Sequence, residues 1–191
     1  TSDDWADYVT DRSHLETADV MIFSTDADDE QLFFAWLLPK YVDARKDVQV
    51  VYFTNHFDNK MRYHELLNGL WAVGIKNYPL ISTFPDAYSK TRDGAIMNLT
   101  EAGFKIEDLL KFQVDAIRKY KPYVVVGHDE NGEYGHGQHI LNTYILETAY
   151  KKAMDKTFDE ESVKNYGTWE IQKLYLHLYP ENTLCLDYDV P

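Results

Sequence analysis

The sequence predicts a three-layer α/β domain, a mostly parallel sheet with helices on both of its faces. Three observations carry that expectation. Apolar runs of strand length recur at residues 19–24, 48–53 and 123–127. Each is followed by a stretch whose apolar residues repeat at helical spacing. An alternation of strand and helix implies parallel pairing through right-handed crossovers.

The elements follow in order. Residues 1–17 are polar with scattered aromatics and read as an irregular lead-in. Residues 19–24 form a short buried strand, and 25–29 turn the chain. Residues 29–41 carry Leu32, Phe33, Trp36 and Leu37 at helical spacing, with Pro39 near the end. A second strand spans 48–53. A second helix spans 61–73, with Leu66, Leu67, Leu70 and Trp71 on one face and Gly74 as its C-terminal cap. Trp36 and Trp71 are expected on helix core faces. Residues 76–81 give a third short strand. Residues 84–104 read as a loop or short helical pieces, long enough to cover something. Residues 106–120 are a third helix, ended by Pro122. Residues 123–127 are the strongest strand, followed by a loop to 135 and a fourth helix over 136–153. Residues 154–168 read as polar linker, and 171–178 and 183–186 as closing strands. Residues 1–191 together make a single Rossmann-like domain.

Composition excludes several classes. The 191 residues, 45% of them apolar, suit one soluble domain with a real core. No stretch approaches the ~20 apolar residues of a membrane helix, so no transmembrane segment is expected. The net charge of -13 argues against nucleic acid, which draws on an excess of Lys and Arg. An acidic surface suits a neutral or cationic ligand, or bound metal ions. Cys185 is the sole cysteine, which excludes an intrachain disulfide and a Cys-based zinc site. The sequence starts at Thr1 rather than Met; a removed leader and a trimmed boundary both account for this, and a secreted or cell-surface location is favoured over a cytoplasmic one.

In an open parallel sheet, ligands bind outside the carboxyl ends of the strands. Two segments there are chemically loaded. The first, Asp26-Ala27-Asp28-Asp29-Glu30, follows the first strand. Carboxylates favour a helix N-terminus by ~0.3–1 kcal/mol each, but so many in five residues repel one another unless a cation intervenes. A calcium loop is excluded, because Gln31 stands where Gly belongs and Leu37 where Glu belongs. The second segment runs from His128 through Asp129, Glu130, Asn131, Gly132, Glu133, Tyr134, Gly135, His136, Gly137 and Gln138 to His139. His136 and His139, three apart at a helix start, share one face, and neutral imidazole is the commonest metal ligand. Gly132, Gly135 and Gly137 let the backbone turn tightly. The segment is neither a dinucleotide fingerprint, a phosphate-cradling loop nor His-Glu-x-x-His. The plain alternative is a glycine-rich surface loop; its pairing with a carboxylate cluster on a neighbouring strand end points instead to a metal site.

These motifs resemble those of the PIG-L/LmbE-like N-acetylglucosaminyl deacetylases. The family's first motif reads His-Pro-Asp-Asp-Glu, where this chain has Asp26-Ala27-Asp28-Asp29-Glu30. Its second, Gly-x-Tyr-Gly-His-Pro-Asp-His, is similar to Gly132-Glu133-Tyr134-Gly135-His136-Gly137-Gln138-His139. Arg62-Tyr63-His64-Glu65 matches an Arg-x-x-Glu on the second helix, and Val73-Gly74-Ile75 the turn after it. The resemblance covers roughly residues 19–190. It implies an LmbE-like fold and a metal-dependent hydrolase that removes an acetyl group from an N-acetylated, GlcNAc-type sugar or glycoconjugate. Carried over residue by residue, it implies Asp29 and His139 as zinc ligands and Asp28 as the general base. It implies His136 as general acid or electrostatic partner, Tyr134 as a hold on the carbonyl and Arg62 as a substrate contact.

Asp26 departs from the family, standing where its first zinc-binding His would be. Aspartate also ligates zinc, at ~2.0–2.2 Å, so Asp26, Asp29 and His139 are expected to converge on one ion. With two carboxylates in the set, Mn²⁺ or Ca²⁺ becomes an alternative to Zn²⁺. His128 is assigned to substrate or to orienting its loop. His56 is expected at the surface, and His177 in a packed or exposed position on its strand. The departure at Asp26 also motivates a second function, a weak or inactive relative that binds glycans. Retention of Asp28, Asp29, His136 and His139 argues against it, because a binding site needs neither base nor acid.

Overall fold

A computed structural model describes residues 15–55 and 59–178. The expected strand at 183–186, Cys185, His56 and most of the 1–17 lead-in lie outside the described residues. Among the described residues, five strands form one sheet: β1 (Val20–Ser24), β2 (Val48–Asn55), β3 (Leu80–Pro85), β4 (Val124–Gly127) and β5 (Lys173–Leu176). Their order is β3-β2-β1-β4-β5, and every pairing is parallel. The winding direction reverses between β1 and β4. A crevice therefore opens outside the carboxyl ends of these two strands, which are the ends that carry the two loaded segments.

The helices are α1 (Asp29–Leu32), α2 (Leu37–Asp43), α3 (Lys60–Ala72), α4 (Arg92–Glu101), α5 (Ile106–Tyr120), α6 (Gly137–Met154) and α7 (Glu160–Tyr166). Successive residues of a strand face opposite sides, and β1 is buried on both. Val20 and Ile22 join Val50, Tyr52, Leu38, Leu66 and Leu70 in one core. Met21 and Phe23 join Val114, Ile117, Leu146 and Ala149 in another. Those two cores, one per face, are the predicted three layers.

Several boundaries differ from the sequence expectation. The helix over 29–41 is two short helices. Pro39 has no N–H and its ring collides with the carbonyl four residues back, so the helix restarts at Leu37 with Pro39 in its first turn. The buried pair there is Phe34 and Leu38, while Trp36 is 62% exposed; Trp71, also expected in the core, is 45% exposed. The third strand lies at Leu80–Pro85 rather than 76–81. The stretch 84–104 contains α4, started by Thr91, whose hydroxyl accepts from Gly94 N–H at 3.1 Å. Gly94, Asn98 and Thr100 are weak helix formers, which hid it. The expected linker 154–168 contains α7, capped by Asp159 accepting from Ser162 N–H at 3.1 Å.

Arg118 of α5 holds this last region in place. Its fully buried side chain donates to the carbonyls of Lys152, Ala153, Asp155 and Phe158 at 2.8–3.2 Å. Arg118→Leu would leave a row of carbonyls without their donor, and we expect a loss of about 3 kcal/mol in stability, measured by urea denaturation. A loss below ~1 kcal/mol would show that water replaces the guanidinium at little cost.

Candidate metal centre

The turn after β1 is closed by one of its own acids. Asp29 Oδ2 accepts from the backbone N–H of Asp26 at 2.7 Å and of Thr25 at 3.2 Å. Asp26 Oδ1 accepts from the Thr54 hydroxyl of β2 at 2.8 Å. Asp28, just ahead of α1, pairs with Arg62 of α3 at 3.1 Å. Both partners of that pair are partly open to solvent.

Across the crevice, the loop after β4 folds around Glu133, which is fully buried. Its Oε2 accepts from Nδ1 of His128 and of His139, each at 2.8 Å. Its Oε1 accepts from His177 Nδ1 at 2.7 Å and from Asp129 N–H at 3.1 Å. Tyr134 follows with φ +45°, a left-handed conformation that costs a non-glycine residue energy. Gly137 marks a close approach: its N–H donates to Ser89 O at 2.8 Å, and a Cβ there would lie 2.3 Å from Thr91 O. The related motif has Pro at this position, which has no N–H to give. Gln138 adds bonds to Pro85 O at 3.0 Å and Ala87 N at 3.2 Å. The segment after β3 is thereby fastened over the start of α6, with the Tyr88 ring 5.1 Å from that of His136.

The two sides meet. His139 Nε2 lies 3.2 Å from Asp29 Oδ2 and 3.6 Å from Asp26 Oδ2. His136 Nε2 lies 3.8 Å from Asp26 Oδ2, and His128 Nε2 lies 3.5 Å from Asp29 Oδ2. Among the described residues, two overlapping sets offer three donor atoms within 4.8 Å of one another: Asp26, His136 and His139, and Asp29, His128 and His139. Asp29 Oδ1, His128 Nε2 and His139 Nε2 are buried without a hydrogen-bond partner. Buried polar atoms are normally satisfied, so this donor set fits a metal ion.

Electrostatics agree. Burial alone would push His139 toward neutrality, but bonding to Asp26, Asp29 and Glu133 outweighs it and raises the imidazole to about 11. Burial would likewise raise Asp26, yet His139 and Thr54 hold it below the usual carboxylate value. Glu133 is held far below the carboxylate range, because its three imidazole partners overcome burial. His136 is lowered by burial and by the charge of His139. Without a metal, the proton on His139 neutralises the carboxylates; metal binding displaces such a proton.

The structure thus gathers Asp26, Asp29, His128, His136 and His139. Tyr134 stands beside them, its ring 5.6 Å from that of His139, and the Asp28–Arg62 pair lies on the α3 side. Glu133 was missed from the sequence, although a carboxylate inside a run of three histidines was the available signal. His177 was expected to be merely packed or exposed; its Nδ1 instead completes the Glu133 cluster. Phe33, packed on the rings of His128, His139 and His177, also lines an apolar cavity of about 690 Å³ with Phe34, Trp36, Tyr41, Tyr175 and His177, among others.

Residues 21–150 match the family model described as PIG-L, GlcNAc-PI de-N-acetylase. The chain is 29% identical over 133 residues to a 1D-myo-inositol 2-acetamido-2-deoxy-alpha-D-glucopyranoside deacetylase 1 of Catenulispora acidiphila, covering 65% of this chain and 39% of that one. It spans about two-fifths of the length of the curated relatives it first matches. Its fold is similar to that of a conserved protein of Thermus thermophilus, with a TM-score of 0.65, 17% identity and coverage of 87% and 68% of the two chains. It is also similar to that of N,N'-diacetylchitobiose deacetylase of Pyrococcus horikoshii, with a TM-score of 0.62, 14% identity and coverage of 85% and 61%.

A ligand that binds only the folded state stabilises it by about 2.7 kcal/mol at a hundred times its Kd. Chelator-stripped protein should therefore gain thermal stability when Zn²⁺ or Mn²⁺ is added, and His139→Ala should abolish the gain. An equal gain in His139→Ala, read by scanning calorimetry, would place the ion elsewhere.

Proposed function

The chain belongs to the PIG-L family of GlcNAc-PI de-N-acetylases, and on that footing we propose that it is a zinc-dependent hydrolase removing the acetyl group from an N-acetylated sugar of the GlcNAc type. The observation that carries this is the meeting of unpartnered buried donors on Asp29, His128 and His139, with His136 facing Asp26 beside them. The named relatives are deacetylases of acetamido sugars, which supports the same substrate class. A glycoconjugate bearing such a sugar is the natural partner. Tyr88 and Tyr134, 60% and 56% exposed at the rim, offer aromatic faces for a sugar ring.

When bound, the ion supplies Lewis acidity, lowering the pKa of a water from ~15.7 toward ~7 and polarising the acetyl carbonyl. The chain's own residues do the rest. Asp28 accepts the proton of the attacking water, and Arg62 fixes the carboxylate for that task. The Tyr134 hydroxyl donates to the carbonyl oxygen as negative charge develops there. His136 gives its proton to the nitrogen as the carbon–nitrogen bond breaks, since an amide anion does not leave. Burial lowers the His136 pKa, which makes its protonated form a stronger acid. Asp26 faces His136 and stabilises that protonated form. We propose Zn²⁺ because imidazole nitrogens lead the donor set, with Mn²⁺ as the ion a more carboxylate-rich set would take.

Asp28→Asn should lower turnover by ~10²–10⁴-fold, the usual contribution of one acid or base, with metal uptake unchanged. His136→Ala should fall in the same range. Release of acetate and free amine from GlcNAc-bearing substrates measures both. Full activity in Asp28→Asn would remove it from the mechanism. No release by wild type with any metal would favour a glycan-binding protein instead.

A further inference from the structure

Among the three imidazoles of the centre, His128 has a geometry unlike that of a substrate contact. It is fully buried, where a substrate contact would be open to the pocket. Its ring lies parallel to that of His139, with centroids 4.2 Å apart and planes at 25°. The two rings are matching rungs: each places Nδ1 on Glu133 Oε2 and aims Nε2 at Asp29 Oδ2. Glu133 is a carboxylate, so it accepts from both Nδ1–H groups. In the neutral ring that bonding leaves each Nε2 as the lone-pair nitrogen, the arrangement by which a carboxylate prepares a metal-binding histidine. The Thr143 hydroxyl of α6 donates to the His128 carbonyl at 3.1 Å and fixes the backbone.

We propose that His128 is a ligand, so that the ion is held by Asp29, His128 and His139. It rests on the metal-hydrolase function proposed above. Two ligands bonded at ~2.0–2.1 Å to a tetrahedral ion stand about 3.3 Å apart. The separations from Asp29 Oδ2 are 3.2 Å to His139 and 3.5 Å to His128. Asp29 also keeps a buried Oδ1 with no hydrogen-bond partner, which Asp26 does not. Asp26 Oδ1 is taken by Thr54, and its Oδ2 is shared between His136 and His139 at the longer distances of 3.8 and 3.6 Å. Charge points the same way. One carboxylate and two neutral imidazoles leave a divalent ion with a net positive charge, whereas two carboxylates cancel it and weaken its pull on water and carbonyl. Asp26 then serves the imidazole of His136 instead of the ion, and Glu133 is the positioning residue for both histidine ligands.

The experiment is X-ray absorption at the zinc edge on the zinc-loaded wild-type chain, joined to competitive zinc titration of variants. Two imidazoles in the wild-type spectrum are expected. His128→Gln should show one and bind zinc more than about 100-fold more weakly, beyond the usual cost of losing an outer-sphere partner. Asp26→Asn should keep both imidazoles and bind within a few-fold of wild type. The wild-type spectrum does not depend on how His128→Gln folds. One imidazole in wild type, or loss of zinc on Asp26→Asn with retention on His128→Gln, overturns the assignment of His128 while leaving a metal hydrolase in place. A wild type that takes up no zinc overturns the metal function itself, and His128 as ligand with it.

Discussion

A buried carboxylate sets the terms for this molecule. Glu133 lies in a fully covered position, where an unpaired charge would cost several kcal/mol. Its compensation comes from three imidazoles reached through three different parts of the chain: His128 after β4, His139 in the first turn of α6 and His177 just beyond β5. Each bond fixes a ring orientation and a tautomer. The loop after β4, the entry to α6 and the edge strand β5 are thereby locked together at one point.

The fold brings this cluster to the place where it is useful. Because the strand order reverses between β1 and β4, the turn carrying Asp26 and Asp29 faces the loop carrying the histidines. The carboxylate side is arranged as tightly as the imidazole side, since Asp29 closes its own turn through two backbone N–H groups. Burial raises nearby Glu30 to about 7, with the charges of Asp29 and Asp28 adding to the effect, a measure of how much negative charge this strand end concentrates. A proton on His139 or a metal ion supplies the balancing charge. Arg62 pairs with Asp28 on the α3 side and offsets part of this charge.

The strands were legible because a parallel sheet covered on both faces reads as continuous apolar runs, and β1, β2 and β4 all do. The helix at 106–120 was legible to the residue, its one-sided apolar pattern being strong. α4 and α7 were not, because tertiary contacts through Ala95, Leu99 and Ser162 seat them rather than any helical stripe. Their capping residues, Thr91 and Asp159, were the readable trace. The motif residues Asp26, Asp28, Asp29, His136 and His139 were visible as chemistry at strand ends. For Glu133 the flanking histidines His128 and His139 were the local signal, while its third partner, His177, lies 44 residues away and no local pattern reports it. Trp36 and Trp71 misled because large aromatics at helical spacing look like core whether or not anything covers them.

The most direct test of the central claim is anomalous scattering at the zinc edge from crystals of zinc-loaded protein. The account predicts a peak within ~2.0–2.2 Å of His139 Nε2 and of a carboxylate oxygen of Asp29. A centre without a peak, with His139 still closed onto Asp29 at 3.2 Å as a protonated ion pair, would contradict it.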